Sequence, residues 1–315
     1  YVSEMQFWPA NQKKRKEFAS LDTRAILDAN RDRHLAPLSQ KTLQDGYVAN
    51  VKTMMRWGLQ SHAYADPFAG VRLRYPKTLA PSAAREGLPT DVINRVFAAG
   101  VKSGYLDLAI LPVLALLTSR RLALLLYLKG SDIRKKDGIW IAQTSGLIIQ
   151  DDAPVVRVPS KTPESGSYFV LHEFLAEIGF VDWARKQPGY IFEAAHLPKD
   201  PAAAASKNLN RLLMKCGAIG DNKEVFHCFR HAAIDANRDS ALKPRSIRLQ
   251  AGHEIGGDPH EGYGRKELQP TDRELLATML LPGDIDWTVF RKLDFDKLAK
   301  KRRPMKNKWR KDGSD

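Results

Sequence analysis

Residues 108–119 constrain this chain more than any other segment. The run is almost wholly apolar, contains Pro112 and stops at Arg120-Arg121, after which apolar sequence resumes through Leu128. A membrane span needs ~20 consecutive apolar residues, so this run is too short to cross a bilayer. It reads instead as a strongly apolar core helix over 106–118, followed by a second helical run over 122–128 that reaches Gly130. A guanidinium set in that much hydrocarbon is costly unless it is paired or faces an anion. Arg120 and Arg121 therefore imply either a carboxylate partner from elsewhere in the chain or an anion-binding site, and the sequence leaves both open.

The chain has 315 residues, room for about two domains of ~100–200 residues each. With 43% hydrophobic residues it can bury a core, which excludes wholesale disorder. Fifty Lys and Arg against 36 Asp and Glu leave a net charge of +14. Such a balance points to a polyanionic partner, nucleic acid first; the plainer reading is a basic surface kept for solubility. Cys216 and Cys228 are the two cysteines, too few for a disulfide framework or a multi-cysteine zinc module, and they fit a reducing compartment. The N-terminal residues do not read as a signal peptide. The chain starts at Tyr1 rather than Met, so an upstream segment is expected.

Residues 1–75 read as a small helical domain. Basic residues 13–16 precede a polar stretch of helical character, and Ser39 is placed to cap a new helix. Leu43, Tyr47, Val51, Met54 and Met55 recur at helical spacing, with Trp57 and Leu59 extending the pattern, as on a helix packed in a bundle. Asp66-Pro67 marks its end. Residues 76–87, with two prolines, small residues and a glycine, are the linker candidate. A second domain is expected over 88–290. It opens with a helix at Pro89-Thr90-Asp91 that carries Val92, Ile93, Val96 and Phe97 on one face. Residues 138–170 break into short β-rich runs separated by glycines and Asp151-Asp152, as in one small antiparallel sheet. Helices return from 172 onward. A basic tail is expected over 291–315, where residues 297–315 carry nine Lys or Arg against two Asp. The fold class is mainly α with a small antiparallel β-sheet (α+β).

Beside Arg120-Arg121 stand two further clusters. In Phe226-His227-Cys228-Phe229-Arg230-His231, helical spacing puts His227, Arg230 and His231 near one face. Leu249-Gln250-Ala251-Gly252-His253 follows, and then a Gly-, Asp- and Pro-containing loop leads to Gly262-Tyr263-Gly264-Arg265. His227 and His231, four apart on a helix, have a spacing that can bind zinc, with Cys216, Cys228 and His253 to complete a site. No His-Glu-x-x-His accompanies the pair, and Cys228 falls on another helix face, so no metal is expected.

In this order the residues resemble the tyrosine recombinases, the phage integrase family. Thr118-Ser119-Arg120-Arg121 is similar to that family's Thr-Gly-x-Arg stretch, and Leu128-Lys129-Gly130-Ser131-Asp132-Ile133 to the Leu-x-x-x-Asp-Ile that follows. Pro159-Ser160-Lys161-Thr162-Pro163-Glu164-Ser165 resembles the hairpin segment that bears the family's lysine. His227-Cys228-Phe229-Arg230-His231 resembles His-x-x-Arg-His, and Ala251-Gly252-His253 resembles Leu-Gly-His. Tyr263 stands ten residues after His253, near the place of the family's nucleophile. Residues 42–71, with Asp66-Pro67-Phe68 at the end, resemble the core-binding domain. The likeness spans roughly residues 35–265.

The resemblance implies a helical core-binding domain joined to a recombinase catalytic domain, acting on double-stranded DNA as a homotetramer. It implies strand cleavage and rejoining through a 3′-phosphotyrosine, with no metal or nucleotide cofactor. Arg121 and Arg230 would hold the non-bridging phosphate oxygens, Tyr263 would attack phosphorus, and Lys161 would protonate the leaving oxygen. His227 would assist proton transfer, His253 would donate to the phosphate, and His231 would support the set. Accessory DNA-bending proteins, an upstream arm-binding domain, and a place on the bacterial nucleoid in the cytoplasm, off the membrane, complete the expectation.

Rivals for individual roles are Lys135, Lys136 and Arg157 for the lysine, and Tyr168 and Tyr190 for the nucleophile. The chain departs from the family pattern at Leu124, where many members are acidic, at Ser119 in place of Gly, and at Gln250-Ala251 in place of a more apolar Leu, the last a small change. A lost carboxylate at 124 would loosen Arg121 or leave another group to hold it. The apolar residues 275–281, Trp287, Val289 and Phe290 either pack on a neighbouring protomer or complete the local core. Two other functions use similar chemistry or similar charge: a type IB topoisomerase or telomere resolvase, and a DNA-binding regulator without catalysis.

Overall fold

A computed structural model describes residues 2–62, 65–80, 87–150, 153–158, 163–219, 224–255 and 267–304. The chain forms two compact units, Tyr1–Ala84 and Arg85–Asp315. Residues 81–86, half of the expected linker, lie outside the described residues.

In the first unit α1 (Thr23–Arg33) follows three short 3-10 turns, and its first turn is capped by Asp22, whose carboxylate accepts the Ala25 N–H at 2.8 Å. Ser39 caps as expected: its hydroxyl accepts the Thr42 N–H at 3.1 Å and opens α2 (Gln40–Thr42). The chain continues through a π-helical stretch, Leu43–Val48, into α3 (Ala49–Ser61). Met5, Leu38, Leu43, Val48 and Leu79 form the core of this unit. The predicted apolar stripe is only half realised, because Met54 and Trp57 are 71% and 72% exposed. A π-helical turn takes up about one extra residue and so rotates everything beyond it by roughly 100° against the 3.6-residue period. The helix ends before Asp66, whose carboxylate accepts the Phe68 N–H at 2.8 Å.

The second unit is built round α5 (Leu106–Thr118), which is buried along nearly its whole length and packs against α4 (Thr90–Ser103). Both helices stand where the apolar pattern puts them. After α6 (Leu122–Leu126) come β1 (Ile133–Lys136), β2 (Ile139–Ala142), β3 (Leu147–Gln150), β4 (Ala153–Val156) and β5 (Phe169–Val170). Among the described residues these five strands pair antiparallel, but they make two sheets, ordered β1-β2-β5 and β3-β4, rather than one. The free edge of β2 is taken by β5, with Ile141 opposite Val170, so β3 and β4 are left to pair with each other.

The further helices among the described residues are α7 (Glu173–Glu177), α8 (Phe180–Arg185), α9 (Pro201–Lys215), α10 (His227–Arg238), α11 (Pro244–Ala251), α12 (Pro270–Thr278) and α13 (Phe295–Lys300). The apolar residues after 275 complete the local core: Leu276 and Ala277 are buried, and Phe290 meets Phe97 edge-on at 4.9 Å. Leu280 is the exception at 93% exposed. Residues 291–304, the described part of the expected basic tail, are packed on the rest of the second unit. Phe295 and Leu298, three apart on α13, are buried, and Phe295 packs on Phe180 and Trp183. Arg303 forks onto both carboxylate oxygens of Asp107 at 2.8 Å. Residues 305–315 lie outside the described set. No helix among the described residues is long and apolar enough to cross a membrane.

Candidate active site

The corner between α5 and α6 creates the site. Ser119 closes α5 in the left-handed conformation (φ 57°), and Arg121 stands extended as the N-cap of α6. A non-glycine residue pays about 1–2 kcal/mol for that backbone, which is why glycine suits position 119. The Ser119 hydroxyl accepts from Asn237 Nδ2 at 3.3 Å. The tight corner sends two adjacent guanidiniums to different places.

Arg120 is fully buried. Its Nη1 donates to the Ser165 carbonyl at 3.1 Å, and its Nη2 donates to those of Tyr168 at 3.1 Å and Leu249 at 2.9 Å. The guanidinium also lies 4.7 Å from the centre of the Phe169 ring. Arg120 thus ties the corner to the loop before β5, to β5 and to α11. Arg121 is only half-buried, and its Nη1 donates to Ser165 Oγ at 3.1 Å and to the Gly252 carbonyl at 3.2 Å.

Helix α10 supplies Arg230 and both histidines of its first turn. Arg230 is buried, and its Nη1 donates to the carbonyls of Ser119 and Ala251, each at 2.6 Å. Its Nη2 is buried with no hydrogen-bond partner among the described residues. His227 and His231 meet edge-on, with ring centres 4.9 Å apart. Cys228 of the same turn is wholly buried in the core, away from them. Helix α11 ends at Gly252 in the left-handed conformation (φ 66°), which turns the chain so that His253 follows the Gly252 carbonyl held by Arg121.

The electrostatics are one-sided. Among the described residues no carboxylate pairs with Arg120, Arg121 or Arg230. The ion-pair reading of Arg120-Arg121 thus has no support among the described residues, where Arg120 is satisfied by three backbone carbonyls instead. Burial pushes Arg120 down to about 9, aided by the charges of Arg230 and Arg121. Burial likewise pushes Arg230 down to about 9, aided by Arg121, and lowers Arg121 itself. At about 9, Arg120 and Arg230 remain cations at neutral pH, and Arg121 keeps the charge that a guanidinium carries in proteins. His253 is pushed down to about 4, first by burial and then by Arg230, Arg121, Arg120 and Arg238, so its ring is neutral at pH 7. Three cations and a neutral imidazole with an unsatisfied donor make a place for an oxyanion.

The structure therefore brings Arg121, Arg230 and His253 together electrostatically and sets His227 and His231 on the helix that bears Arg230. Lys161 and Tyr263 lie outside the described residues. Four of the rivals for their roles are engaged elsewhere, and the fifth, Tyr168, is shut in the core with its hydroxyl unpartnered among the described residues. Arg157 is buried in an ion pair with Asp132 at 2.7 Å, Lys136 pairs with Glu267 at 2.8 Å, and Lys135 lies over the Trp140 ring. Tyr168 is buried, and Tyr190 stacks on His196. Among the described residues no group of three or more His, Cys, Asp or Glu side chains could hold a metal ion.

Leu124 is buried in the core and takes no part in holding Arg121. Gln250 is not the minor replacement that the pattern suggested. Its side chain accepts the Val170 N–H at 2.9 Å and donates to the Val170 carbonyl at 3.0 Å, pairing α11 with the edge of β5 as a strand would. Sequence reasoning also passed over Ser165 and Asn237. Ser165 ends the segment that resembles the family's lysine-bearing hairpin but takes no role from that likeness, Asn237 belongs to no motif, and their partners lie 44 and 118 residues away.

Comparisons with known proteins come from structure alone. No family model matches the chain, and no curated protein matches it. Among solved structures, a fragment of the Tn1549 transposon integrase in complex with circular intermediate DNA is similar at 12% identity and a TM-score of 0.46, covering 89% of this chain and 97% of that one. A lambda integrase tetramer bound to a Holliday junction is similar at 14% identity and a TM-score of 0.39, covering 81% and 77%. The integrase of mycobacterium phage Brujita is similar at 13% identity and a TM-score of 0.38, covering 95% and 96%.

Proposed function

We propose that this protein is a tyrosine-type site-specific DNA recombinase, which cuts and rejoins double-stranded DNA through a 3′-phosphotyrosine without metal or nucleotide. The observation that carries the reading is the meeting of Arg120, Arg121 and Arg230 with no carboxylate partner among the described residues and with one buried donor of Arg230 left over. The motif order in the sequence supplies the rest. Arg121 and Arg230 hold the two non-bridging oxygens of the scissile phosphate and stabilise the charge that builds as phosphorus becomes five-coordinate. The Tyr263 hydroxyl attacks phosphorus while its proton passes to His227. The bond to the 5′ oxygen breaks, and that oxygen takes a proton from Lys161. His253, neutral at pH 7, donates a ring N–H to a phosphate oxygen, and His231 supports His227. The phosphotyrosine keeps the bond energy, so a second 5′ hydroxyl can reverse the step on a new strand.

In this reading the first unit and the catalytic unit grip duplex DNA, and four copies exchange strands. Phosphate contacts by Lys and Arg make binding fall steeply with salt. The test is a denaturing gel of the protein mixed, in EDTA, with nicked duplex from the flanks of its own gene. A covalent protein–DNA band that disappears in Tyr263→Phe supports the reading. Retention of the band in Tyr263→Phe overturns the nucleophile. The product then separates the alternatives: exchanged strands for a recombinase, relaxed circles for a topoisomerase, hairpin ends for a telomere resolvase.

A further inference from the structure

We propose that Ser165 is a positioning residue for Arg121, holding the guanidinium by a neutral hydroxyl so that its charge reaches the bound phosphate undiminished. The inference deepens the reading above and rests on Arg121 being a phosphate ligand.

Ser165 is 2% exposed and lies in the 3-10 turn Pro163–Gly166. Its hydroxyl accepts from Arg121 Nη1 at 3.1 Å and donates to the Gly252 carbonyl at 3.3 Å. That same carbonyl accepts the Arg121 Nη1 at 3.2 Å. Arg121, Ser165 and Gly252 thus close a triangle of hydrogen bonds on a single guanidinium nitrogen. Nε and Nη2 of Arg121 are left for the anion, and they form the edge of the fork that suits two oxygens of a phosphate.

The chemistry of the holder matters. A carboxylate in this place would orient Arg121 equally well but would cancel its charge and compete with the phosphate. A hydroxyl and a carbonyl orient it through dipoles alone. They thus leave the charge of Arg121 uncancelled against a dianion-like transition state. The residue is also wired to the corner through its backbone, since the Ser165 carbonyl accepts from Arg120 Nη1 at 3.1 Å. That bond does not involve the side chain. Ser165→Ala therefore removes the hold on Arg121 while leaving the buried Arg120 anchored.

The experiment uses the full chain and compares wild type, Ser165→Ala, Ser165→Thr and Arg121→Ala. Cleavage of nicked duplex is followed at saturating and subsaturating DNA, and the thermal midpoint is followed with and without added sulfate. Ser165→Ala is expected to lower the saturated cleavage rate about tenfold or more with little change in DNA affinity, because the hold matters most where charge develops. Ser165→Thr, which keeps the hydroxyl, is expected to restore most of the rate. Sulfate is expected to raise the thermal midpoint of wild type and Ser165→Thr, less that of Ser165→Ala, and not that of Arg121→Ala. Wild-type rate and a wild-type sulfate response in Ser165→Ala overturn the proposal. So does a rate loss that Thr does not rescue and that tracks a lowered midpoint without sulfate, since that describes mere misfolding. If wild type forms no covalent complex but the sulfate series behaves as stated, the recombinase reading fails and the role of Ser165 stands.

Discussion

Gly252 lies so close to Arg120 that the two exclude any side chain between them: a Cβ at 252 would collide with Arg120 Nη1, and would sit 3.2 Å from Ser165 Cα. The glycine is needed twice over, because its φ of 66° is also left-handed. Gly252→Ala is expected to cost at least about 2 kcal/mol, from backbone strain and from displacing a buried guanidinium. Urea unfolding measures this, and a loss below about 0.5 kcal/mol contradicts the close packing.

Neighbouring arginines at 120 and 121 are expected to behave oppositely. Arg120→Met strands the carbonyls of Ser165, Tyr168 and Leu249 and is expected to lose about 3 kcal/mol or more. Arg121→Met removes one of three like charges and is expected to leave stability within about 0.5 kcal/mol of wild type. Its loss is of sulfate and DNA binding instead. Equal destabilisation by both substitutions would show that Arg121, too, is chiefly a structural tie.

The pH dependence follows from His253. Its folded pKa, about 4, lies below the ordinary histidine value near 6.5, so between those values the unfolded chain binds the extra proton. Stability is therefore expected to fall as the pH drops from about 6.5 toward 4, by about 1 kcal/mol once solvent screening of this half-exposed ring is allowed for. His172 and His196, also lowered by burial, act in the same direction, so the His253 share is the difference between wild type and His253→Asn. Sulfate in the pocket favours the imidazolium and is expected to flatten that difference. A pH profile unchanged by His253→Asn refutes the assignment.

Gln250→Leu tests the side chain that stands in for a strand. It leaves the Val170 N–H and carbonyl without their partner in a buried place, at an expected cost of about 2–4 kcal/mol. Hydrogen exchange is expected to quicken at the Val170 amide first. A leucine as stable as the glutamine would mean that water replaces both bonds.

Much of this protein is local, and what is local can be read in the sequence. The apolar periodicity of α4 and α5, the Ser39 cap, and the spacing that sets His227 and Arg230 on one turn all depend on neighbours within a few residues. Motif order alone singled out Arg121, Arg230 and His253. Other features depend on distant partners or on a single backbone turn. The π-helical turn after Thr42 exposed Met54 and Trp57 against their period. The return of β5 to β2 divided one expected sheet into two. Phe295 and Leu298 drew a basic segment into the core because a few buried side chains outweigh the repulsion of solvated lysines.

The decisive case is the Arg120-Arg121 pair. Its sequence required that two guanidiniums be either neutralised or aimed at an anion, because hydrocarbon does not tolerate an unsatisfied charge. Only the folded chain chose between them. It surrounds both with carbonyls and one hydroxyl from segments 44 to 131 residues away and, among the described residues, with no carboxylate, since hydrogen-bond geometry is set by where distant backbone comes to rest.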